Sequence, residues 1–209
     1  AVEQWSSAPK RILLLSSGER IKNALDIRVV DSVDAYNPMG KRELQIIAEC
    51  INTFNEIVNN CPKDIKTQDP LTYINSVKEC FESNSIAKIS CNKEPQKRIL
   101  AYTVNKHLAL YHELLKEQIA IYDSDVIFIY GRVDKIQLSE FDMFNDILDI
   151  YNFGQNPEQI DRKTFYCPNV NKAIFIIETT ELHSIVGDFR NSCENLLQQY
   201  PDFRRNCRE

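Results

Sequence analysis

Apolar residues recur with the period of an α-helix over much of this chain. From Pro38 to about Asn60 they return at every third or fourth position, which places them on one face of a helix. The same spacing predicts a second helix over 70–90 and a third over 95–122. Two more are predicted, one from about 139 to 151 and a last one that begins near 169–171 and ends before Pro201. The first stripe consists of Leu44, Ile47, Cys50, Ile51, Phe54, Ile57, Val58 and Cys61.

Three positions in the chain carry the same helix-start signal. An Asn or Asp is followed by Pro at 37–38, 69–70 and 156–157. The first residue supplies a side-chain acceptor for the N-cap, and proline fits the first helical position because its missing N–H has no partner there. Helices are also favoured because 5 glycines and 8 prolines in 209 residues leave little material for tight β-turns. The predicted fold class is therefore all-α, a helical bundle.

Four cysteines in the first half of the chain have a symmetrical spacing. Cys50 and Cys61 are eleven positions apart and share one helix face, as do Cys80 and Cys91. In an antiparallel hairpin, facing positions have a constant sum, and the sums for Cys50 with Cys91 and for Cys61 with Cys80 are equal. We therefore predict these two disulfides, a cross-linked N-terminal helical hairpin and an oxidising compartment. Buried thiols or metal ligands are the alternatives, although the cysteines are too far apart in sequence for a typical zinc site.

The three remaining cysteines leave an odd total of 7. Cys193 lies on the last predicted helix and Cys207 beyond the Pro201 break, so the tail can fold back and join them in a disulfide. Cys167 is then a free thiol. A partner outside this segment or an intermolecular bridge is equally allowed, and so is a bond between Cys167 and Cys193 with Cys207 free.

A smaller set of segments fits an α/β fold instead. The runs RILLL, IFIYGRV and AIFIIETTE have the composition of buried parallel strands, although VIFIYGRV also fits the start of a helix. The first run leads into SSGER, which resembles the strand-to-helix opening of a nucleotide-binding fold. That segment has one glycine where the glycine fingerprints need several. The α/β fold is therefore kept as the alternative to all-α.

The helix and cysteine patterns divide the chain into three segments. Residues 1–36 form an N-terminal segment with the weakest pattern, 37–93 the disulfide-linked hairpin, and 94–209 a helical bundle. A chain of 209 residues can bury a sizeable core as one domain or as two small ones. We expect the hairpin and the bundle to pack as one compact unit.

Charge and hydropathy argue against two classes of partner. The net charge of −5 and the pI near 5.4 disfavour broad electrostatic binding to nucleic acid or to anionic membrane. No apolar run approaches the roughly 20 residues of a membrane-spanning helix. The first residues lack the charged start and apolar centre of a secretory leader, so we expect a secreted chain to be present here in mature form.

Motifs of known catalytic or metal centres are absent from the sequence. The chain has 3 histidines, and two of them, His107 and His112, are five apart on a predicted helix, which rotates them away from a shared metal ion. No HExxH, GxSxG, P-loop or EF-hand pattern occurs. The sequence therefore predicts no enzyme, no cofactor and no metal site.

Aromatic residues crowd the middle of the chain, where they anchor either the core or a binding surface. The core is the simpler interpretation. The alternative is a partner-binding face, or the lining of a pocket, in which aromatic rings combine with two arginines. The residues of this candidate binding face are Tyr122, Tyr130, Arg132, Arg162 and Tyr166.

A helical chain with Cys50, Cys61, Cys80 and Cys91 in its helices resembles the helical, cysteine-containing salivary proteins of mosquitoes, the 30-kDa allergen and 34-kDa classes. The resemblance covers about half of the chain. Some of those proteins bind collagen or host effectors, so the resemblance implies a secreted binding protein. The acidic, glycine-rich repeats of the collagen-binding members are missing here, which argues against collagen binding. Insect odorant-binding proteins are less similar because their close C-x3-C pair is absent.

These features together predict a secreted, extracellular binding protein. Its expected action is to block or sequester an extracellular protein target, such as a host haemostatic or immune factor. The alternative is a carrier that encloses a small apolar ligand in a helical cavity. An enzyme with an unrecognised site is the third hypothesis, and a nucleic-acid partner and a membrane span are not expected.

Overall fold

A six-stranded mixed sheet forms the centre of the molecule, and the predicted all-α bundle is therefore wrong. The computed structural model describes residues 9–16, 38–60, 87–90, 117, 119–131, 157–178 and 184–204. The α/β fold, kept above as the alternative, is the observed class. The elements are β1 (Ile12–Ser16), α1 (Pro38–Ile57), β2 (Ala87–Ser90), β3 (Val126–Gly131), β4 (Glu158–Asp161), β5 (Thr164–Cys167), β6 (Lys172–Glu178) and α2 (Ile185–Gln199), with short 3-10 helices at Pro168–Val170 and Pro201–Arg204.

The strands have the order β2-β1-β3-β6-β5-β4. The first four are parallel to one another, whereas β5 and β4 are antiparallel additions at the other end of the sheet. In the central register Leu14 pairs with Phe128, and Phe128 pairs with Phe175. β1 lies in the predicted segment 1–36, β2 in 37–93 and the other strands in 94–209, so one sheet joins all three segments. The segment boundaries themselves stay a prediction.

The central strands are buried on both faces of the sheet. Leu14 and Phe128 face the side that α1 and α2 cover and belong to the core cluster there. Leu13 and Ile127 point to the opposite side, because neighbouring residues of a strand alternate, and they too are 0% exposed. In the sequence, a strand that is buried on both faces is an unbroken run of apolar residues. Such a run fits the period of a helix and that of a strand equally well. This ambiguity is why the sequence favoured helices in these runs.

Two predicted helices give way to strands in part, and one helix-start signal is followed by a strand. β2 occupies 87–90 of the predicted helix 70–90, and β6 occupies the start of the predicted last helix. β4 follows the Asn-Pro signal at 156–157. The small number of glycines did not exclude a sheet. Parallel strands are joined by crossovers and need few tight turns. Left-handed backbone conformations in the described segments are taken by Asn60, Asp123 and Asn171 and do not require glycine.

The first and last helices keep the features that the sequence predicts for them. α1 begins at Pro38, and its stripe of Ile47, Cys50, Ile51, Phe54 and Val58 is buried as predicted. α2 ends at Gln199, before Pro201. The described helices include none with the length and apolar content needed to cross a membrane.

Aromatic rings pack the two helices against the sheet. The Phe54 ring of α1 lies edge-to-face on Phe128 and Phe175, at centroid distances of 5.7 and 6.0 Å. From α2, Phe189 contacts the same two rings at 5.3 and 5.1 Å. Such contacts add to the apolar area that each ring buries, which is the main stabilisation of this interface.

Two of the predicted disulfides are wrong. Cys50 and Cys193 are free thiols, and both are fully buried where α1 packs against α2, so neither Cys50–Cys91 nor Cys193–Cys207 forms. Cys167 is free as well. The cysteine spacing predicts a disulfide only if α1 pairs with a second helix in a hairpin. In the structure, the buried stripe of α1 faces the sheet and α2. The proposed bridge between positions 61 and 80 lies outside the described residues.

Charged residues tie the amino ends of three parallel strands together. The backbone N–H of Arg11, just before β1, donates to Asp125 Oδ2 at 2.7 Å, and its guanidinium donates to Asp123 Oδ2 at 2.9 Å. Lys172, at the start of β6, donates to the other oxygen of Asp123. Burial alone raises the pKa of Asp123, but the hydrogen bonds from Lys172 and Arg11 outweigh it and lower the pKa. This network is a structural clamp.

We expect Asp123→Asn to destabilise the protein at neutral pH and to have little effect in acid. Asn tolerates the positive φ of 42° at this position, so the substitution removes the charge and spares the backbone. A carboxylate with a lowered folded-state pKa stabilises the fold above the unfolded value, and this stabilisation is lost as the pH falls through the folded value. Because Asp123 is 60% exposed, the loss should be at most about 1 kcal/mol, to be measured by urea unfolding.

The control for Asp123→Asn is Glu194→Gln on the exposed surface of α2, whose carboxylate makes no ion pair with the described residues. It should leave the free energy of unfolding nearly unchanged at both pH values. An equal loss for Asp123→Asn at neutral and acidic pH would contradict the electrostatic explanation.

We expect Cys50, Cys167 and Cys193 to be unreactive thiols in the folded protein. Burial raises the pKa of all three, to about 11 for Cys167, and thiolate is the reactive form. Iodoacetamide labelling followed by peptide mapping should modify them only after unfolding in guanidinium. Recovery of a peptide pair that joins Cys50 to Cys91 would contradict the structure.

Candidate functional site

The carboxyl end of β6 is the place where the described elements converge on a cleft. β5 runs antiparallel to β6, so the turn before its first residue, Thr164, lies toward the carboxyl end of β6, and Thr164 itself pairs with Phe175. The backbone holds this arrangement, since the N–H of Ile176 donates to the carbonyl of Lys163 at 2.8 Å. α2 begins at this edge with Ile185. Open α/β sheets bind ligands beyond the carboxyl ends of their parallel strands.

The cleft, called the β6 cleft below, opens to solvent and encloses a volume of about 20 Å³, which is room for one or two water molecules. Its walls are apolar side chains from β6 and α2, and its polar groups come from the β4–β5 turn, the end of β6 and the first half of α2. A few polar groups on apolar walls are typical of small-molecule sites. The lining residues are Lys163, Thr164, Phe175, Ile176, Ile177, Glu178, Ile185, Asp188, Phe189 and Ser192.

The hydroxyl of Thr164 is the most informative group in the cleft. Thr164 is 0% exposed, and its Oγ1 atom has no hydrogen-bond partner in the structure. Leaving a buried polar group without a partner costs about 1–3 kcal/mol. It is also the only atom of this kind among the described residues. Such a cost at a cleft indicates a place where a water molecule or a ligand supplies the missing partner.

The charged groups of the cleft are two carboxylates and one ammonium group. Lys163 Nζ lies 3.3 Å from Glu178 Oε2, and the side chain of Glu178 is only 11% exposed. Asp188 lies in the first turn of α2, where a negative charge interacts favourably with the helix dipole. The lining therefore carries one negative charge in excess.

Asp161 fixes the position of the turn that carries Lys163 and Thr164. One of its carboxylate oxygens accepts the backbone N–H of Lys163 at 2.8 Å, and the other accepts the hydroxyl of Ser192 at 2.7 Å. The β4–β5 turn is thereby joined to α2. Groups held in this way are pre-organised for a ligand, because binding does not have to order them.

Nucleophilic and metal chemistry have little support in the described part of the chain. The three thiols there are buried with raised pKa values, which disfavours the reactive thiolate. The described residues contain no group of three or more His, Cys, Asp or Glu that could hold a metal ion. The three histidines lie outside the described residues.

The structure does not bring the candidate binding face together. Tyr130 and Tyr166 are each 4% exposed and belong to the core between the sheet and the helices. Tyr122 lies before the amino end of β3, whereas Tyr130 lies near its carboxyl end. Arg162 is exposed in the β4–β5 turn, next to Lys163 of the β6 cleft, and Arg132 lies outside the described residues.

The residues of the β6 cleft were missed at the level of sequence. Lys163, Thr164 and Asp188 match no motif, and Glu178 was noted only as part of the run AIFIIETTE. That run did contain a signal, because a polar residue directly after a buried parallel strand lies at the ligand-binding edge of an α/β sheet. The signal has meaning only once the run is known to be a strand.

Comparison of this chain with protein-family models, curated proteins and solved structures finds no match. The resemblance to mosquito salivary proteins stays a prediction, and the function has to be argued from the geometry of the β6 cleft.

Proposed function

We propose that the chain is a binding protein whose ligand occupies the β6 cleft. The observation that carries this proposal is the buried, unpartnered hydroxyl of Thr164 in the lining of that cleft. Valine has nearly the shape of threonine and would fill the same space without leaving a polar atom unpaired. A threonine at this position is therefore costly to the ligand-free fold and useful to a protein that binds a polar ligand.

Two further observations support the proposal. The cleft is lined by the second half of β6 and the first half of α2, near the end of the sheet at which α/β proteins generally bind their ligands. Its polar groups sit on elements that are fixed in place, since Asp161 bonds both to the turn before β5 and to Ser192 of α2. A rigid site loses little conformational entropy on binding.

The proposal keeps one part of the expectation from the sequence, namely that the chain acts by binding. The polar lining of the β6 cleft fits a polar ligand better than the small apolar ligand of the carrier hypothesis, which also assumed a helical cavity. An extracellular protein target and secretion remain proposals that rest on the sequence, and free Cys50 and Cys193 remove two of the disulfides on which they depended.

We expect Thr164→Val to stabilise the ligand-free protein. The substitution removes the unpartnered hydroxyl and retains the shape, so the free energy of unfolding should rise by about 1 kcal/mol or more. Urea unfolding measures this change. The matched control is Thr53→Val, which makes the same chemical change at a buried position of α1 outside the cleft lining and should change stability by less than Thr164→Val.

Binding is tested by titrating a library of small polar fragments into isotope-labelled protein and recording amide chemical shifts. Fragments that bind should shift the amide signals of Lys163, Thr164 and Glu178. Thr164→Val should weaken their binding by about two- to tenfold, as expected for loss of one hydrogen bond, and Thr53→Val should leave it unchanged. Absence of any shift at the cleft, or equal binding to the Thr164→Val variant, would contradict the proposal.

A further inference from the structure

We infer that the ligand of the β6 cleft carries a single ammonium group on a small apolar body. This inference rests on the proposed function, because it names the chemical class of ligand for the same cleft. It is carried by the charge of the lining, by the number of hydrogen-bond acceptors, and by the apolar walls.

The charge of the cleft lining favours a cation. Lys163 is paired with Glu178 at 3.3 Å, which leaves Asp188 as the second carboxylate. Among the described residues, none makes an ion pair with Asp188. A ligand with one positive charge makes the charges of ligand and lining complementary, whereas an anion increases the imbalance.

The acceptors of the cleft match the donors of an ammonium group. A primary ammonium has three N–H donors and no acceptor. The cleft offers the carboxylates of Glu178 and Asp188 together with the hydroxyl oxygen of Thr164, which has no other partner. The same ammonium would therefore give the Thr164 oxygen the partner that it lacks in the ligand-free structure.

The remaining lining limits the rest of the ligand. Ile177, Ile185 and Phe189 supply apolar walls, and the enclosed part of the cleft has a volume of about 20 Å³, which is room for one or two water molecules. The enclosed space therefore takes the ammonium group, and the apolar body of the ligand lies at the open mouth of the cleft.

The start of α2 does not turn the cleft into an anion site. Helix N-termini attract anions through their dipole, but Asp188 already places a negative charge in that first turn. The ammonium of Lys163, the other group that could bind an anion, lies beside Glu178. The N-terminus of α2 therefore has the carboxylate of Asp188 nearby, and the ammonium of Lys163 has that of Glu178.

The test compares three probes that share a phenyl ring and differ in charge: phenethylamine, 2-phenylethanol and 3-phenylpropanoate. Dissociation constants come from amide chemical shifts of the full chain. We expect the amine to bind at least about tenfold more tightly than the alcohol, because its hydrogen bonds to the carboxylates are charge-assisted. The anionic probe should bind most weakly.

Substitutions of the carboxylates should change this order in different ways. Asp188→Asn should weaken phenethylamine binding about tenfold or more. Glu178→Gln should weaken it as well and also improve binding of 3-phenylpropanoate, because Lys163 then loses its paired carboxylate. Glu194→Gln, which alters a carboxylate of α2 outside the cleft lining, is the control and should leave all three probes unchanged. Circular dichroism of each variant checks that it is folded.

The outcomes separate this inference from the proposed function. Equal binding of the alcohol and the amine, or tighter binding of the propanoate, would overturn the ammonium ligand and leave the cleft as a binding site. If neither these probes nor the fragment library shift the amides of the cleft, the proposed function fails together with the inference.

Discussion

Burial of the parallel strands β1, β3 and β6 on both faces is the constraint on which the rest of this structure depends. Leu13 and Leu14 are neighbours on β1 and point to opposite sides, yet both are fully buried. A strand in this position has no solvent-facing side, and a parallel neighbour cannot be reached by a tight hairpin. The connection from β1 to its parallel neighbour β2 therefore contains α1, which packs on one face of the sheet.

The two edges of the parallel sheet differ in how their polar groups are used. At the amino ends, Asp123 binds both Arg11 and Lys172 and thereby joins three strands. At the carboxyl end of β6, the hydroxyl of Thr164 is buried without a partner beside an ion pair and a second carboxylate. The first arrangement satisfies its own charges and stabilises the register of the strands. The second arrangement leaves the hydroxyl of Thr164 without a hydrogen-bond partner, and a ligand would supply that partner.

The antiparallel additions β4 and β5 turn this edge into a site. Because β5 runs against β6, the turn before Thr164 returns to the carboxyl end of β6 and places Lys163 beside Glu178. Asp161 then joins that turn to Ser192 of α2. A fifth parallel strand would have placed its first residue at the amino edge instead. The direction of one strand thus determines whether the cleft exists.

Several features of this fold were determined by the sequence alone. The spacing of Ile47, Cys50, Ile51 and Phe54 correctly identified α1 and its buried face, and Pro201 marked the end of α2. These features are local, because they depend on residues within one or two helical turns of each other. The three apolar runs were also visible, but a run without polar residues has no period, so the strands could be offered only as an alternative.

Only the tertiary structure decided which residues meet. The bond between Arg11 and Asp125 joins residues 114 positions apart, and no local pattern encodes such a pairing. Cys50 lies in the core against the sheet and α2 and remains a thiol, although its spacing suited a disulfide in a hairpin. Thr164 matters because its hydroxyl has no partner, and the satisfaction of a hydrogen bond depends on every neighbour that the fold brings near. The sequence determined α1 with its buried face and the end of α2, and long-range packing decided the sheet, the free thiols and the cleft.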